Sequence, residues 1–156
     1  MAYHVYSTLG IVLEGRPQGD ADKYYYIFTE ELGLVIASAK SVRRCESKLR
    51  YGLNDFTLAE LSFIRGKREW KITSARDIEN IFRNFSTEPH KRDTALRILL
   101  TLRQFVVGEE QNKELFSVVV SALKFLKKSK LTDLEIRTFQ CLITGVAYLD
   151  VYCQVR

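Results

Sequence analysis

The spacing of the apolar residues changes near residue 75, and that change limits the folds open to this chain. Before it, five short stretches rich in Val, Ile, Tyr, Phe and Thr alternate with turn-forming residues, a pattern typical of β-strands. They cover residues 4–15, 23–30, 33–40, 55–66 and 68–75. Because no helical stretch long enough for a crossover separates them, we expect an antiparallel sheet that curls into a small barrel.

A five-stranded barrel of this length is most often an OB-fold, a fold that commonly binds oligonucleotides. The last stretch shows the required alternation most clearly, since Trp70 and Ile72 share one face while Lys71 and Thr73 share the other. A fold does not establish a function, so the function depends on what the surface carries.

After residue 75 the apolar residues repeat at helical spacing in three stretches. The first carries Ala95, Leu99, Leu102 and Val106, and the second carries Leu115, Val119, Leu123 and Leu126. A third opens at "TDLE" (132–135), which has capping-box spacing, and runs to Leu149. "STEPH" (86–90) is the predicted connector. We therefore predict an α+β chain, with a five-stranded OB-fold barrel at residues 1–76 and a small α-helical domain at 77–156.

The composition is that of an ordinary folded protein with 156 residues and a formal net charge of +5. No apolar run approaches the ~18 residues that cross a bilayer, and the first residues show no export signal. The three cysteines, Cys45, Cys141 and Cys153, are odd in number and widely spaced, which argues against a disulfide framework. We expect a cytoplasmic protein without membrane contact.

Recognisable catalytic motifs are missing from the sequence. His4 and His90 are far apart, "RGK" (65–67) lacks the remainder of a phosphate loop, and there is no Cys-x-x-Cys pair. We therefore predict that the chain is not an enzyme and that it uses no metal and no cofactor.

Two runs of basic residues stand at the ends of predicted strands. Residues 40–50 contain five cations and one acid, and residues 65–71 contain four cations and one acid. Such segregation of charge steers an anionic partner toward one surface. The simpler alternative is a pair of solvated basic loops.

The stretch "KYYYIF" (23–28) offers aromatic faces on which the bases of a single strand could stack. Tyr24, Tyr26 and Phe28 point to one side of the strand, and Tyr25 and Ile27 point to the other. Both sides cannot be buried in one small barrel. Either one tyrosine set is exposed for bases or it packs under the helical domain, and we favour packing because aromatic stripes usually belong to a core.

Four segments together resemble the RecO family of bacterial DNA repair proteins, the recombination mediators. They are "IVLEGRPQGDAD" (11–22), "FTEELGLVIASAKSVRRCESKLR" (28–50), "DFTLAEL" (55–61) and "IRGKREWKITSA" (64–75). The residues that fall where the family pattern has them are Asp22, Phe28, Thr29, Gly33, Lys40, Arg43, Arg44, Ser47 and Leu49. In the helical region "ELFSVVVSALKFL" (114–126) and "FQCLITGVAYL" (139–149) are similar. The chain departs from many members in having fewer C-terminal helices and no four-cysteine zinc module.

The resemblance implies a recombination mediator. Such a protein binds single- and double-stranded DNA, anneals strands, contacts single-strand-binding protein and helps RecR to load RecA, all without a cofactor. It would be cytoplasmic and associated with the nucleoid when bound to DNA. The implied DNA-binding residues are Lys40, Arg43, Arg44, Lys48, Arg50, Lys67, Arg68 and Lys71, with Tyr24 and Tyr26 as stacking faces. An RNA-binding OB-fold and a module that docks an acidic protein remain alternatives.

The resemblance also implies a partner site in the helical region. The acidic tail of single-strand-binding protein ends in apolar residues, so its receptor needs cations beside an apolar groove. Two sets meet that need: Arg97 and Arg103 beside Leu99 and Leu102, and Lys124 and Lys128 beside Leu123 and Leu126.

Overall fold

The computed structural model describes residues 4–128, which contain five strands and four helices. The strands are β1 (Val5–Gln18), β2 (Asp22–Thr29), β3 (Gly33–Ala39), β4 (Thr57–Arg65) and β5 (Trp70–Asn80). The helices are α1 (Leu49–Gly52), α2 (Ile81–Asn84), α3 (Pro89–Phe105) and α4 (Lys113–Lys128). All five predicted strands are confirmed, and the third predicted helix lies outside the described residues.

The strands close into a barrel in the order β1-β2-β3-β5-β4, which confirms the predicted OB-fold. Four of the five neighbouring pairs are antiparallel, whereas β3 and β5 pair in parallel, with Ala37 opposite Trp70 and Ser38 opposite Lys71. The expectation of a wholly antiparallel sheet is therefore wrong at this pair. The reason is geometric, because an odd number of strands cannot alternate in direction all the way around a closed ring.

Alternate residues of each strand fill the barrel. The core includes Val12, Tyr25, Ile27, Val35, Leu61, Phe63, Trp70 and Ile72. Trp70 and Ile72 lie inside, as predicted, and Thr73 is exposed on the opposite face. Burying large apolar side chains of this kind contributes about 1.5–3 kcal/mol each before entropy is counted.

The strand ends differ from the sequence prediction. β1 continues through Arg16, Pro17 and Gln18, which stand opposite Tyr24, Lys23 and Asp22 of β2. The turn is confined to residues 19–21, where Gly19 has a left-handed backbone with φ of 60°. The interval between the first two predicted strands, residues 16–22, is therefore mostly strand.

Burial of Tyr25 has a measurable consequence at high pH. Burial, reinforced by the negative charge of Asp55, raises the pKa of Tyr25 to about 12 from the ordinary 10.0. The unfolded chain ionises first, so the stabilisation is complete below pH 10 and is lost as the pH rises toward 12. We expect the free energy of unfolding to fall less steeply across this window in Tyr25→Phe than in the wild type. Exposed Tyr51→Phe is the control, and equal slopes in Tyr25→Phe and the wild type would contradict the assignment.

The helices α2, α3 and α4 belong to a second compact unit, separate from the unit formed by the barrel and residues Gly108–Asn112. Both predicted apolar stripes are buried, except for Val106, which follows the end of α3 in an extended conformation. α3 begins at Pro89, so the connector is shorter than "STEPH", as expected from the preference of proline for the first helical turn. The assignment of domains at residues 1–76 and 77–156 stays a prediction.

Candidate nucleic-acid interface

The outer face of β2 and β3 is where OB-folds usually bind their ligands. In this barrel the face carries Tyr26 opposite Ile36 and Tyr24 opposite Ser38. Tyr24 and Tyr26 are half-buried, and Ile36 is 48% exposed. The core tyrosine of β2 is Tyr25, and the expectation that the other tyrosine set packs under the helical domain stays a prediction. The inward face already fills the barrel with Tyr25 and Ile27, so the outward tyrosines keep part of their surface accessible.

A groove of about 1480 Å³ adjoins this face. The turn between β4 and β5 forms one side of it, and Gly108 and Glu109 also line it. Of the residues predicted to bind nucleic acid, the groove brings together Tyr24, Lys67, Arg68 and Lys71. Lys67 and Arg68 are exposed, and Lys71 is half-buried. Cations and an aromatic ring therefore meet in one concave surface, which is the combination that single strands require.

Polar contacts hold the Tyr24 side chain in this groove. The Glu69 carboxylate, which hydrogen-bonds the Tyr24 hydroxyl, raises the pKa of Tyr24 above its ordinary value, and desolvation acts in the same direction. Gln18 Nε2 donates to the same hydroxyl at 2.8 Å. The protein thus already engages the Tyr24 hydroxyl.

The basic run at residues 40–50 forms a loop after β3 and part of α1, and the groove lining includes none of it. The loop is anchored by buried Val42 and by the Ser41 amide, which donates to Asp22 Oδ1 at 2.7 Å. Arg43 also binds the β1–β2 turn, since its Nη1 donates to the Gly19 carbonyl at 3.1 Å. The remaining cations of the run, all exposed, are Lys40, Arg44, Lys48 and Arg50.

The second basic run begins toward the start of β3, and its last residue, Lys71, lies beside the end of that strand. Because β3 and β5 run in parallel with Ala37 opposite Trp70, the residues before Trp70 lie toward the start of β3. The loop at 40–48 follows the last residue of β3 instead. Lys71 stands opposite Ser38, two residues before Lys40 and so about 7 Å from it along the strand, which brings the end of the second run close to the start of the first.

The sequence prediction missed several residues of this surface. Arg16 stands over the Tyr26 ring, 5.4 Å from its centroid, and is ion-paired with Glu14 at 2.7 Å. Gln18, Ile36 and Arg65 line the groove. Arg16 and Gln18 fell within a segment that looked like a turn, and a lone Ile in a strand carries no signal of exposure. Arg65 belongs to the second basic run, and its position at the end of a predicted strand could have indicated that it lies on this surface.

Both predicted partner sites were expected to use leucines as an apolar groove, and this part of the prediction is wrong. Leu99, Leu102, Leu123 and Leu126 are buried, because the helical period places them together on the apolar side of each helix. The exposed apolar side chains near these cations are Leu100 and Phe125. Arg97 already binds Asp93 at 3.0 Å, whereas Lys124 and Lys128 are exposed on α4.

Within residues 4–128 no group of three or more His, Cys, Asp or Glu side chains is arranged to hold a metal ion. No helix in the same range is long and apolar enough to cross a membrane.

Comparison with known proteins places this barrel in a family. Residues 1–81 match the model of the N-terminal domain of recombination protein O. DNA repair protein RecO of Thermodesulfovibrio yellowstonii is 34% identical over 128 residues, which cover 79% of this chain and 49% of that protein. The proteins of the same name from Alkaliphilus metalliredigens and Dehalococcoides mccartyi are 32% and 28% identical, over 85% and 88% of this chain and 54% of each relative.

The chain thus spans about half the length of the curated relatives that it matches. The family match begins at the first residue and runs through all five strands of the barrel to residue 81. Because this match covers more than half of the 156 residues, the chain belongs to the RecO family.

Proposed function

We propose that this chain binds DNA across the outer face of its barrel and acts in DNA repair and recombination. The observation that carries the proposal is the pair of half-buried tyrosines, Tyr24 and Tyr26, on a face that adjoins the cations of the groove and of the loop after β3. Phosphates would follow the cations while bases stack on the rings. The names of the relatives, DNA repair protein RecO, support DNA as the ligand.

The finer role that we propose is that of a recombination mediator, with binding to both single and double strands, strand annealing and assistance to RecR in loading RecA. Contacts to phosphates carry no base information, so the protein would bind any sequence. Strands held mainly through their backbones keep base edges available for pairing. None of these steps forms or breaks a covalent bond, so the role requires neither catalytic residues nor a cofactor.

A salt series on single-stranded DNA tests the proposal. If four to six of the cations replace counterions, log K should fall against log salt with a slope of about −3 to −4. Binding should be similar for oligonucleotides of different composition and equal length. A flat salt response together with strong sequence preference would contradict the model. A matched RNA oligonucleotide as competitor distinguishes DNA binding from RNA binding, and no binding of either at low salt would favour a module that docks acidic proteins.

We further propose that α4 receives the acidic tail of single-strand-binding protein. Lys124 and Lys128 lie beside Phe125, which is 50% exposed, so cations and an apolar surface occur together there. Arg97 and Arg103 beside Leu100 form a second set, but Arg97 is already bonded to Asp93. The first set is therefore the stronger candidate.

A tail peptide distinguishes the two sets. We expect weak, salt-sensitive binding that Lys124→Glu/Lys128→Glu lowers at least about tenfold, because both attractions become repulsions. Arg97→Glu/Arg103→Glu should change it less, and neither pair should alter DNA binding. Fluorescence anisotropy with a labelled peptide measures the affinity. A folded wild-type protein that binds no peptide at low salt would eliminate this site.

A further inference from the structure

The segment Gly108–Asn112, which lies between α3 and α4, is fitted closely to the barrel, with which it shares one compact unit. The Gly108 carbonyl accepts a hydrogen bond from the Leu34 amide at 3.0 Å, and Gln111 Nε2 donates to the Glu31 carboxylate at 2.7 Å. A Cβ added at Gly33 would approach the backbone oxygen of Glu110 to 2.3 Å. Gly33, which also has a φ of 69°, therefore admits this segment where a larger residue would exclude it.

Glu109, in the middle of the segment, accepts two convergent hydrogen bonds. Arg65 Nη1 donates to one carboxylate oxygen at 2.8 Å, and Trp70 Nε1 donates to the other at 2.9 Å. The Arg65 guanidinium also lies 5.0 Å from the centroid of the Trp70 ring. All three residues line the groove described above. The two donors are therefore spaced for one anion that presents two oxygens.

We propose that Arg65 and Trp70 form a phosphate subsite of the groove, and that Glu109 occupies this subsite until a phosphodiester of a bound strand replaces the carboxylate. The inference rests on the proposed DNA-binding function. Arginine binds carboxylates and phosphates with the same forked geometry, so one anion can substitute for the other.

Displacement of Glu109 is feasible because its bond to Arg65 is open to solvent. The Arg65 and Glu109 side chains are 62% and 43% exposed, and exposed ion pairs contribute little to stability. The neighbouring cations Lys67 and Arg68 would bring a phosphate close to the subsite. Glu109 would thus compete with a phosphate for Arg65 and Trp70 and so weaken the binding of a strand.

Glu109→Gln tests the competition, because the amide oxygen still accepts from Trp70 while the charge is lost. At about 0.1 M salt we expect single-stranded DNA to bind about two- to fivefold more tightly, since the phosphate no longer has to displace a charged carboxylate from Arg65. Glu110→Gln is the matched control, because it removes the same charge from the adjacent exposed residue. Equal gains in both variants would overturn the proposal, since net charge alone would then explain them.

Arg65→Ala provides the second arm of the experiment. In the Arg65→Ala background the change Glu109→Gln should give no further gain, because the cation that the carboxylate blocks is gone. A gain of the same size in both backgrounds would overturn the role of Arg65.

A readout without DNA separates this inference from the proposed function. Trp70 is the only tryptophan of the chain, so its fluorescence reports on the subsite. We expect inorganic pyrophosphate to shift the Trp70 emission of Glu109→Gln at lower concentration than that of the wild type or Glu110→Gln. No difference among the three proteins would overturn the subsite. If Glu109→Gln responds to pyrophosphate as expected but none of the proteins binds DNA, the proposed function would be overturned and the subsite would stand.

Discussion

Reversing the charge of Arg43 and Arg44 together is expected to weaken the binding of single-stranded DNA about 100-fold at about 0.1 M salt. Each phosphate contact contributes a slope of about 0.7, so two lost contacts cost about 25-fold at this concentration, and repulsion by the new carboxylates adds the remainder. Both side chains are exposed in the loop that follows β3. The loss should be equal for all sequences, because phosphate contacts do not read bases. Anisotropy titrations with oligonucleotides of equal length and different composition measure it.

Two further variants separate charge from local structure. Lys124→Glu/Lys128→Glu makes the same change of charge on α4 and should leave DNA affinity within about twofold of the wild type if the barrel carries the site. Arg44→Glu/Lys48→Glu leaves intact the bond from Arg43 to the Gly19 carbonyl. If only the variant that removes Arg43 loses affinity, anchoring of the loop matters more than its charge. Undiminished binding by both loop variants would remove the loop from the interface.

The strands were predictable because alternation within each segment is a local property of the sequence. Which strands pair is not local, and the parallel contact of β3 with β5 follows only from closing five strands into a ring. The continuation of β1 through Pro17 was hidden for a similar reason. Proline and glycine indicate a turn, but the pairing of Pro17 with Lys23 is decided by the partner strand. The single-turn helices α1 and α2 are too short to show a helical period.

The candidate site likewise has features that the sequence indicates and features that it does not. Its cations form runs along the sequence, so they could be found without a structure. The contact between Trp70 and Glu109 joins residues 39 positions apart, and nothing near either residue indicates it. The leucine stripes on α3 and α4 were found correctly by their period. Those leucines were expected to be available to a partner but are buried, because an apolar stripe that can bind a partner can equally pack within the protein itself.

The three consecutive tyrosines of β2 allow the assignment of faces to be tested by adjacent substitutions. Tyr25→Ala should lower the free energy of unfolding by about 3–5 kcal/mol, because it removes a ring that is 2% exposed from the barrel core. Tyr24→Ala and Tyr26→Ala should change the stability much less, since both side chains are half-buried on the outer face. Thermal or urea unfolding of the three variants measures these differences.

DNA binding should show the opposite order. If Tyr24 and Tyr26 are stacking platforms, changing either one to alanine should weaken single-strand binding by about 1–3 kcal/mol. This corresponds to about 5- to 150-fold in affinity. Changes to phenylalanine should retain most of the affinity, because the ring face rather than the hydroxyl would contact the base. Tyr25→Ala should bind normally at temperatures where it remains folded. If Tyr24→Ala and Tyr26→Ala instead lower the stability as much as Tyr25→Ala and leave affinity unchanged, the outer face of β2 packs against protein, and the cations bind phosphates without a stacking surface between them.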